Sequence, residues 1–351
     1  MKALIAMSGG VDSSVAAALT IEQGYECIGC NMKLFDAVTE KSEKSCCSLD
    51  DVEDARSVAR KLNMPFYVFN FKDGFKEKVI DNFINCYLCG RTPNPCIECN
   101  RYMKFDKLYE RMKELNCDKI VTGHYAIVEK AGDSFVLRKS KDLNKDQSYV
   151  LFRLNQELLS HILFPLGALS KEKARKIAEM HGFFNAHKAE SQDICFVPDG
   201  DYGKVIEAYT GKKSVPGNFV DLKGNVLGTH EGVINYTIGQ RKGLKLAMGK
   251  PVYVCAIDVA RNEVVLGDNE DLFGTVVYSE DNNWIAGGEI PDGLKCSAKV
   301  RYRMAEKPGT IFNEGNGRLK FVFDEPVRAI TPGQSIVFYD GDIVLGGGTI
   351  V

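Results

Sequence analysis

Ser8-Gly9-Gly10-Val11-Asp12-Ser13-Ser14 follows directly on the apolar run Ala3-Leu4-Ile5-Ala6-Met7. A short apolar run, a glycine turn and the start of an amphipathic segment read as strand, loop and helix. Two consecutive glycines let backbone approach a ligand with no Cβ in the way. The hydroxyls of Ser8, Ser13 and Ser14 and the first amides of the helix face whatever sits in the loop. That arrangement is an anion site, and the expected anion is phosphate. No Gly-Lys-Ser/Thr follows the glycines, so this is not a Walker loop, and it is not GxGxxG. The bland alternative is a turn that only joins a strand to a helix.

Outward from this loop, residues 2 to about 125 alternate strand and helix. Strands are expected at Ala3–Met7, Glu26–Phe35, Pro65–Phe71 and Lys119–Gly123, with helices at about 12–23, 50–62, 73–84 and 101–114. Asp50, Asp51 and Glu53 suit the start of the second helix, where the dipole favours negative charge. This alternation predicts a parallel sheet covered on both faces, with ligands at the carboxyl ends of its strands. The glycine loop, Met32 and Gly123 fall at or near such ends.

Residues 126–152 read as a small hairpin leading to Lys145-Asp146-Gln147-Ser148-Tyr149, and helices follow near 156–162 and 170–181. Beyond about 212, short strands alternate with Gly and Asn turns. Val252–Ile257 and Glu263–Leu266 form a hairpin around Ala260-Arg261-Asn262. Some six short strands follow in 276–351, clearest at Arg318–Phe323, Ser335–Tyr339 and Ile343–Gly346, and predict a small β-barrel. Lys299, Arg301 and Arg303 alternate as if in one strand, either as a solvated face or as a phosphate track. The expected organisation is an α/β domain over 1–200, a small, mostly β central domain over 201–275, and a C-terminal β-barrel over 276–351.

The 351 residues are 44% hydrophobic and 26% charged, with a net charge of −2. Those values suit a globular protein with a normal core. Nucleic acid, if bound, must meet a local patch. No apolar run approaches the roughly 18 residues of a membrane span. With no signal peptide read at the N-terminus, the expected location is the cytoplasm, away from membranes.

Twelve cysteines are many for such a chain, and a reducing compartment rules out a disulfide framework. Cys27, Cys30, Cys117 and Cys255 read as apolar fillers. Cys86-Tyr-Leu-Cys89-Gly-Arg-Thr-Pro-Asn-Pro-Cys96-Ile-Glu-Cys99-Asn100 does not. Its two C-x-x-C pairs lie in what reads as a proline-bearing loop. A tetrahedral zinc site is one option, although the six-residue gap is short for it. Chemistry shared by Cys96 or Cys99 with the distant Cys195 is the other. A thiolate is the reactive form, which favours exposure near Arg91, Arg101 and Lys188.

The Ser8–Ser14 string by itself resembles the pyrophosphate loop of the wider ATP pyrophosphatases. Beside it stand Gly90-Arg91-Thr92-Pro93-Asn94-Pro95 with Cys99-Asn100, and Ser191-Gln192-Asp193-Ile194-Cys195-Phe196. Thr122-Gly123-His124-Tyr125, Asp146-Gln147-Ser148-Tyr149, Thr237-Ile238-Gly239-Gln240-Arg241-Lys242-Gly243-Leu244 and Thr331-Pro332-Gly333-Gln334 add to them. Taken together and in order, from residue 2 to about 350, these segments resemble the bacterial tRNA-specific 2-thiouridylase family.

The resemblance implies an enzyme that adenylates the 2-oxygen of the wobble uridine in tRNA with ATP. Sulfur then replaces AMP to give 2-thiouridine, and pyrophosphate is released in the first step. It implies ATP contacts at Ala6, Met7, Ser8, Gly9, Gly10, Val11, Asp12, Ser13, Met32 and Gly123, with Asp12 positioning phosphates or a magnesium ion. It implies a persulfide on Cys195 and a nucleophile at Cys99. Contacts with tRNA are implied at Asn94, Pro95, Cys96, His124, Lys145, Asp146, Gln147, Arg301, Tyr302 and Gln334. Where well-known members carry Asp-x-x-Cys, this chain has Cys96-Ile97-Glu98-Cys99. Cys96, Cys99 and Cys195 could therefore hold a [4Fe-4S] cluster with one open iron. A persulfide relay and a cluster both stay open here, the cysteine count favouring the cluster. The expected sulfur source is a cysteine desulfurase, a relay protein or sulfide, and the expected state is a monomer. Cys46, Cys47, Cys86 and Cys89 are left without a role. Two other functions compete: another AMP-forming enzyme with this loop, and a non-catalytic RNA-binding protein with a zinc-stapled cysteine loop.

Overall fold

A computed structural model describes residues 1–36, 49–188, 194–197 and 200–351. Cys46, Cys47 and the Ser191-Gln192-Asp193 part of the second cysteine segment lie outside the described residues. The chain opens with β1 (Lys2–Ala6), β2 (Glu26–Lys33), β3 (Phe66–Asn70) and β4 (Lys119–Val121). A hairpin of β5 (Ala126–Ala131) and β6 (Ser134–Lys139) follows, and then the two-residue β7 (Ile162–Leu163). The first sheet has the order β3-β2-β1-β4-β7, and every pair in it is parallel. The winding reverses between β1 and β4, so the loops after these two strands share the crevice where such sheets take ligands.

Alternation along β1 divides the core. Ala3 and Ile5 pack with Val11, Val15, Ala16, Ala17 and Ala18 of helix α1 (Val11–Glu22). Leu4 faces the other way, into a cluster with Phe75, Val79 and Phe83. Successive strand side chains point to opposite faces, so four residues serve both layers. The alanines let α1 lie close over the sheet, which brings its first turn onto the strand ends.

The sequence reading departs from the structure at several places in this part. The second strand ends at Lys33. The helix expected at 73–84 runs from Lys72 through Leu88, with a widened π-helical turn at Lys76–Ile80. Cys86 is therefore helical rather than looped. Pro95 opens a new helix, Pro95–Glu98, in the first turn, where its missing N–H costs the helix no bond. Ile162, expected at a helix end, belongs to β7.

The central part carries β8 (Gly217–Val220), β9 (Val226–His230), β10 (Tyr253–Asp258) and β11 (Glu263–Gly267) in the order β10-β11-β8-β9. The hairpin expected around Ala260–Asn262 is present, with Asp258 opposite Glu263. The last six strands are β12 (Phe273–Trp284), β13 (Leu294–Lys299), β14 (Lys307–Gly315), β15 (Arg318–Arg328), β16 (Ser335–Asp340) and β17 (Ile343–Ile350). They pair in the order β12-β15-β14-β13-β16-β17, and β17 returns to β12, so the barrel closes and leaves no edge among the six. β13 ends at Lys299, so Arg301 and Arg303 do not alternate with it in one strand. That corrects the reading of a basic strand face.

Strand β17 also takes β6 as a partner, with Val344 opposite Leu137. The hairpin of the α/β part is thus an extension of the barrel sheet. Beneath it, Ile97 and Phe105 share one apolar cluster with Tyr149, Phe152, Tyr339 and Val344. Tyr149 donates from its hydroxyl to the Ser335 carbonyl at 2.7 Å. The segment that carries Cys96 and Cys99 is in this way seated on the barrel.

Candidate active site

The glycine loop leaves β1 at Met7, whose amide donates to the Cys30 carbonyl and whose carbonyl accepts from Asn31 Nδ2 at 2.8 Å. Ala6 and Met7 are buried, so their backbone rather than their side chains borders the loop. Gly9 has φ +78°, in the left-handed region, and a Cβ there would collide with the Asp51 backbone. Gly10 is the N-cap of α1 in extended geometry. The Ser8 amide donates to Ser13 Oγ at 3.2 Å, and Ser13 Oγ and Ser14 Oγ donate to the Gly10 carbonyl. The loop is closed on itself, which leaves the first amides of α1, from Val11 to Ser13, as the donors a helix cannot satisfy. Unsatisfied amides at a helix start suit an anion such as phosphate.

Asp12 sits in that first turn, where a carboxylate would repel phosphate. It is neutralised: Lys171 Nζ lies 2.8 Å from each of its oxygens, and the Tyr125 hydroxyl donates to Oδ1 at 2.8 Å. Lys171 stands in the first turn of the helix Lys171–Met180. Asn185 Nδ2 donates to the Gly9 carbonyl at 2.9 Å and to Ser14 Oγ at 3.0 Å. Sequence reading missed both Lys171 and Asn185. No local pattern marks them, because each reaches the loop across more than 150 residues.

Gly123 follows β4, and a Cβ there would stand 2.8 Å from the Ser13 amide nitrogen. It is a glycine because two loops touch at that point. Its neighbour His124 is buried between Phe105 and Phe164. His124 Nδ1 lies 2.6 Å from Thr122 Oγ1, and Nε2 lies 3.5 Å from Lys104 Nζ. Burial first, and the Lys104 charge second, push its pKa well below the usual imidazole value. Met32, half-buried, packs at the rim of the same cluster as Leu4.

The cysteine segment is an arm. Asn94 caps its helix, accepting from the Cys96 amide at 3.2 Å. From Cys99 to Lys107 the helix widens to i→i+5 bonding. Asn100 donates to the Val150 carbonyl at 3.0 Å, tying the arm to the turn after Gln147. Cys96 is exposed, and Cys99 and Cys195 are half-buried against one apolar cluster with Phe83, Tyr87 and Phe196. Pro95 is buried. Among the described residues no three His, Cys, Asp or Glu side chains gather closely enough for a metal ion. Cys86 donates to Asn82 Oδ1, and desolvation raises its pKa. Burial also raises Cys27, to about 11, and Cys117, as fits apolar fillers. A cavity of about 380 Å³ opens beside the arm, lined by Asn94, Glu98 and Arg101 and, from the barrel, by Asp281 and Thr349.

Most of the residues expected at tRNA are bonded within the protein. Asp146 accepts from the amides of Ser140 and Ser148, and Gln147 Oε1 accepts from the Tyr125 amide at 2.9 Å. The Lys145 amide donates to Asp142. The Tyr302 hydroxyl donates to the Asp146 carbonyl at 3.0 Å, and its ring is exposed. Arg301 donates to the Ile238 carbonyl and to Thr331 Oγ1. Gln334 Nε2 donates to the Thr92 carbonyl at 2.7 Å, and the Thr92 amide donates to Pro332. Arm, central part and barrel meet around Thr92, whose hydroxyl also lies 3.4 Å from that of Thr237.

A glycine loop at the reversal of a parallel sheet, with a neutralised acid in the helix turn it feeds, defines a nucleotide-binding α/β domain of the ATP pyrophosphatase type. Three family patterns cover the chain: a "tRNA methyl transferase HUP domain" at residues 1–199, a "tRNA methyl transferase PRC-barrel domain" at 203–268, and an "Aminomethyltransferase beta-barrel domain" at 275–350. The chain is 50% identical to the tRNA-specific 2-thiouridylase MnmA of Acetivibrio thermocellus, over 99% of each chain. It is 51% identical to that of Clostridioides difficile, over 99% of this chain and 98% of that protein. Moorella thermoacetica has another such relative, 50% identical, with 99% of this chain and 98% of that protein covered. This chain belongs to the tRNA-specific 2-thiouridylase family.

Proposed function

We propose that the protein is an ATP-dependent tRNA sulfurtransferase that makes 2-thiouridine at the wobble position. The observation that carries this reading is the junction of the phosphate loop with the cysteine arm, made through Gly123, His124 and Lys104. Uracil O2 attacks the α-phosphorus of ATP, the bond to the β-phosphate breaks, pyrophosphate leaves, and N3 gives up its proton. Ala6 to Ser13 hold the phosphates, and Met32 and Gly123 border the adenosine. Asp12 acts by fixing Lys171 and Tyr125. With an ammonium against both of its oxygens it does not fit a magnesium ion.

In the sulfur step, Cys99 attacks the inner sulfur of a Cys195 persulfide and hydrosulfide leaves. That sulfur adds to C2, AMP departs, and N3 regains a proton. The resulting Cys99–Cys195 disulfide is reduced by an external thiol. A common apolar cluster under both cysteines supports this pairing. In this arrangement Cys96, Cys99 and Cys195 do not fit a [4Fe-4S] cluster, because no three such ligands gather among the described residues. Asn94, Pro95 and Cys96 meet the flipped base, and His124, Lys145, Asp146, Gln147, Arg301, Tyr302 and Gln334 shape the tRNA surface or touch it. A cysteine desulfurase or a relay protein, itself carrying a persulfide, passes its outer sulfur to the Cys195 thiolate and is left as a thiol. The protein works as a monomer in the cytoplasm, where thiols stay reduced. Among the described residues, no helix is long and apolar enough to cross a membrane.

The test is thiolation of unmodified tRNA with ATP. Iron-free protein and a persulfide donor should give 2-thiouridine with one AMP per sulfur. Thiolation that needs bound iron, and that Cys96→Ala abolishes, would replace the relay with the cluster. No tRNA-dependent AMP at all would sink the enzyme reading.

A further inference from the structure

Among the described residues, Lys104 has no carboxylate within ion-pair distance. The only polar contact of its ammonium there is His124 Nε2, at 3.5 Å. An ammonium can only donate, so Nε2 accepts and the imidazole proton sits on Nδ1, from which it donates to Thr122 Oγ1. Desolvation favours the same neutral ring. The imidazole therefore orients the ammonium without cancelling its charge. A half-buried cation with no counter-ion is costly, and it is better tolerated when the counter-ion arrives with a ligand.

The position of Lys104 says which ligand. It stands five residues after Cys99 in the stretch Cys99–Lys107, whose i→i+5 bonding stacks residues five apart on one face. In an ordinary helix, 3.6 residues per turn would rotate it off the Cys99 face. Its other neighbour, His124, lies between Gly123, which abuts Ser13, and Tyr125, which donates to Asp12. Lys104 thus has the phosphate loop on one side and the nucleophile's helix on the other.

We propose that Lys104 is the cation that meets the α-phosphate of ATP and of the adenylated base. It donates to the non-bridging oxygens while uracil O2 bonds to phosphorus and pyrophosphate leaves, and it holds the same phosphate when sulfur displaces AMP. This rests on the reading of the protein as an ATP-dependent sulfurtransferase. It also accounts for the wide helix after Cys99, since only that winding puts the nucleophile and the phosphate cation on one face.

The experiment uses the full chain with unmodified tRNA and ATP and no sulfur source, and reads pyrophosphate release in a single turnover. Lys104→Met keeps the aliphatic stem and should slow release by about 100-fold, while Lys104→Arg stays within about tenfold of the wild type. Wild-type release from Lys104→Met would overturn the proposal. A second measurement does not depend on the variant folding: amine labelling of the wild-type protein, mapped by mass spectrometry, with and without ATP. Protection of Lys104 by ATP supports the role, and equal labelling overturns it. Absence of tRNA-dependent pyrophosphate from the wild type would instead overturn the sulfurtransferase reading, and the labelling would still decide Lys104.

Discussion

Lys171 Nζ stands 2.8 Å from both carboxylate oxygens of Asp12, across 159 residues of chain, in the first turn of α1. Lys171 is almost fully buried, and Asp12 is about a third exposed. The pair makes an acidic helix turn acceptable to an anion and braces α1 against the helix Lys171–Met180. Lys171→Met should leave Asp12 without its cation and destabilise the fold by about 1–2 kcal/mol, less than a fully buried pair because water still reaches the carboxylate. Adding Asp12→Asn to that variant should restore part of the stability but not ATP turnover. Urea denaturation of the four proteins of this cycle measures the coupling, and additive single effects would show that the contact contributes nothing.

Gly9→Ala puts a Cβ on a residue at φ +78° and against the Asp51 backbone. A left-handed non-glycine costs about 1–3 kcal/mol, and the collision pushes the start of the second helix away from the loop. ATP affinity, read by calorimetry, should fall by more than tenfold. Gly10→Ala, at an extended φ with only Ser8 Oγ nearby at 3.5 Å, should fold normally. Equal ATP binding by both variants would remove the argument for a strained loop.

Acid should weaken the fold through His124. Its folded pKa lies below the unfolded value of about 6.5, so the unfolded chain binds the extra proton. Stability from this group is complete above that value and is lost as pH falls toward the lower, folded pKa, by up to about 1.4 kcal/mol per pH unit. Glu98, whose pKa is raised chiefly by burial, titrates in wild type and variant alike and cancels between them. His124→Asn should therefore lose less stability than the wild type between pH 7.5 and 5.5. Parallel pH profiles from urea denaturation would contradict the neutral imidazole.

The cysteines should separate the two half-reactions. Cys99→Ser and Cys195→Ser should stop 2-thiouridine formation while tRNA-dependent pyrophosphate release persists within about threefold, because a thiol stabilises no charge in the phosphoryl step. Cys86→Ser should leave both steps intact, since its thiol is turned to Asn82 and its pKa is raised by burial. Loss of pyrophosphate release in Cys99→Ser would mean that the arm assembles the nucleotide site as well as the sulfur site.

What could be read from the sequence followed the range of the forces involved. The glycine loop, the parallel strands and the closed barrel rest on local signals: alternation, glycine turns and short apolar runs. The cysteine arm misled because two prolines suggest a loop, whereas Pro95 sits where a helix tolerates it. The basic alternation at 299–303 misled because β13 ends at Lys299, and Arg301 turns inward to Ile238 and Thr331. Lys171, Asn185 and Lys104 carried no local sign, since each gains its meaning from a partner brought near by the winding of the sheet.

Gln334 shows how that distance changes a role. Its resemblance to tRNA-touching positions suggests a surface contact, yet Nε2 donates to the Thr92 carbonyl at 2.7 Å, while the Thr92 amide donates to Pro332. These two bonds lash the barrel to the segment just before Asn94 and Cys96. A Cβ on Gly333 would stand 2.9 Å from the Thr92 nitrogen, so the two backbones are already in contact. Losing one hydrogen bond costs only about 1 kcal/mol, too little to unfold the chain but enough to let the arm, with Asn94 and Cys96, shift relative to the glycine loop. A misplacement of about 1 Å can cost a hundredfold in rate. Gln334→Ala should therefore lower kcat for thiolation by about tenfold or more, with KM for tRNA changed by less than about threefold, and Gln334→Glu should behave alike because a carboxylate cannot donate to a carbonyl. A rise in KM with kcat unchanged would return Gln334 to the tRNA surface and leave the placing of the arm to Pro332 alone.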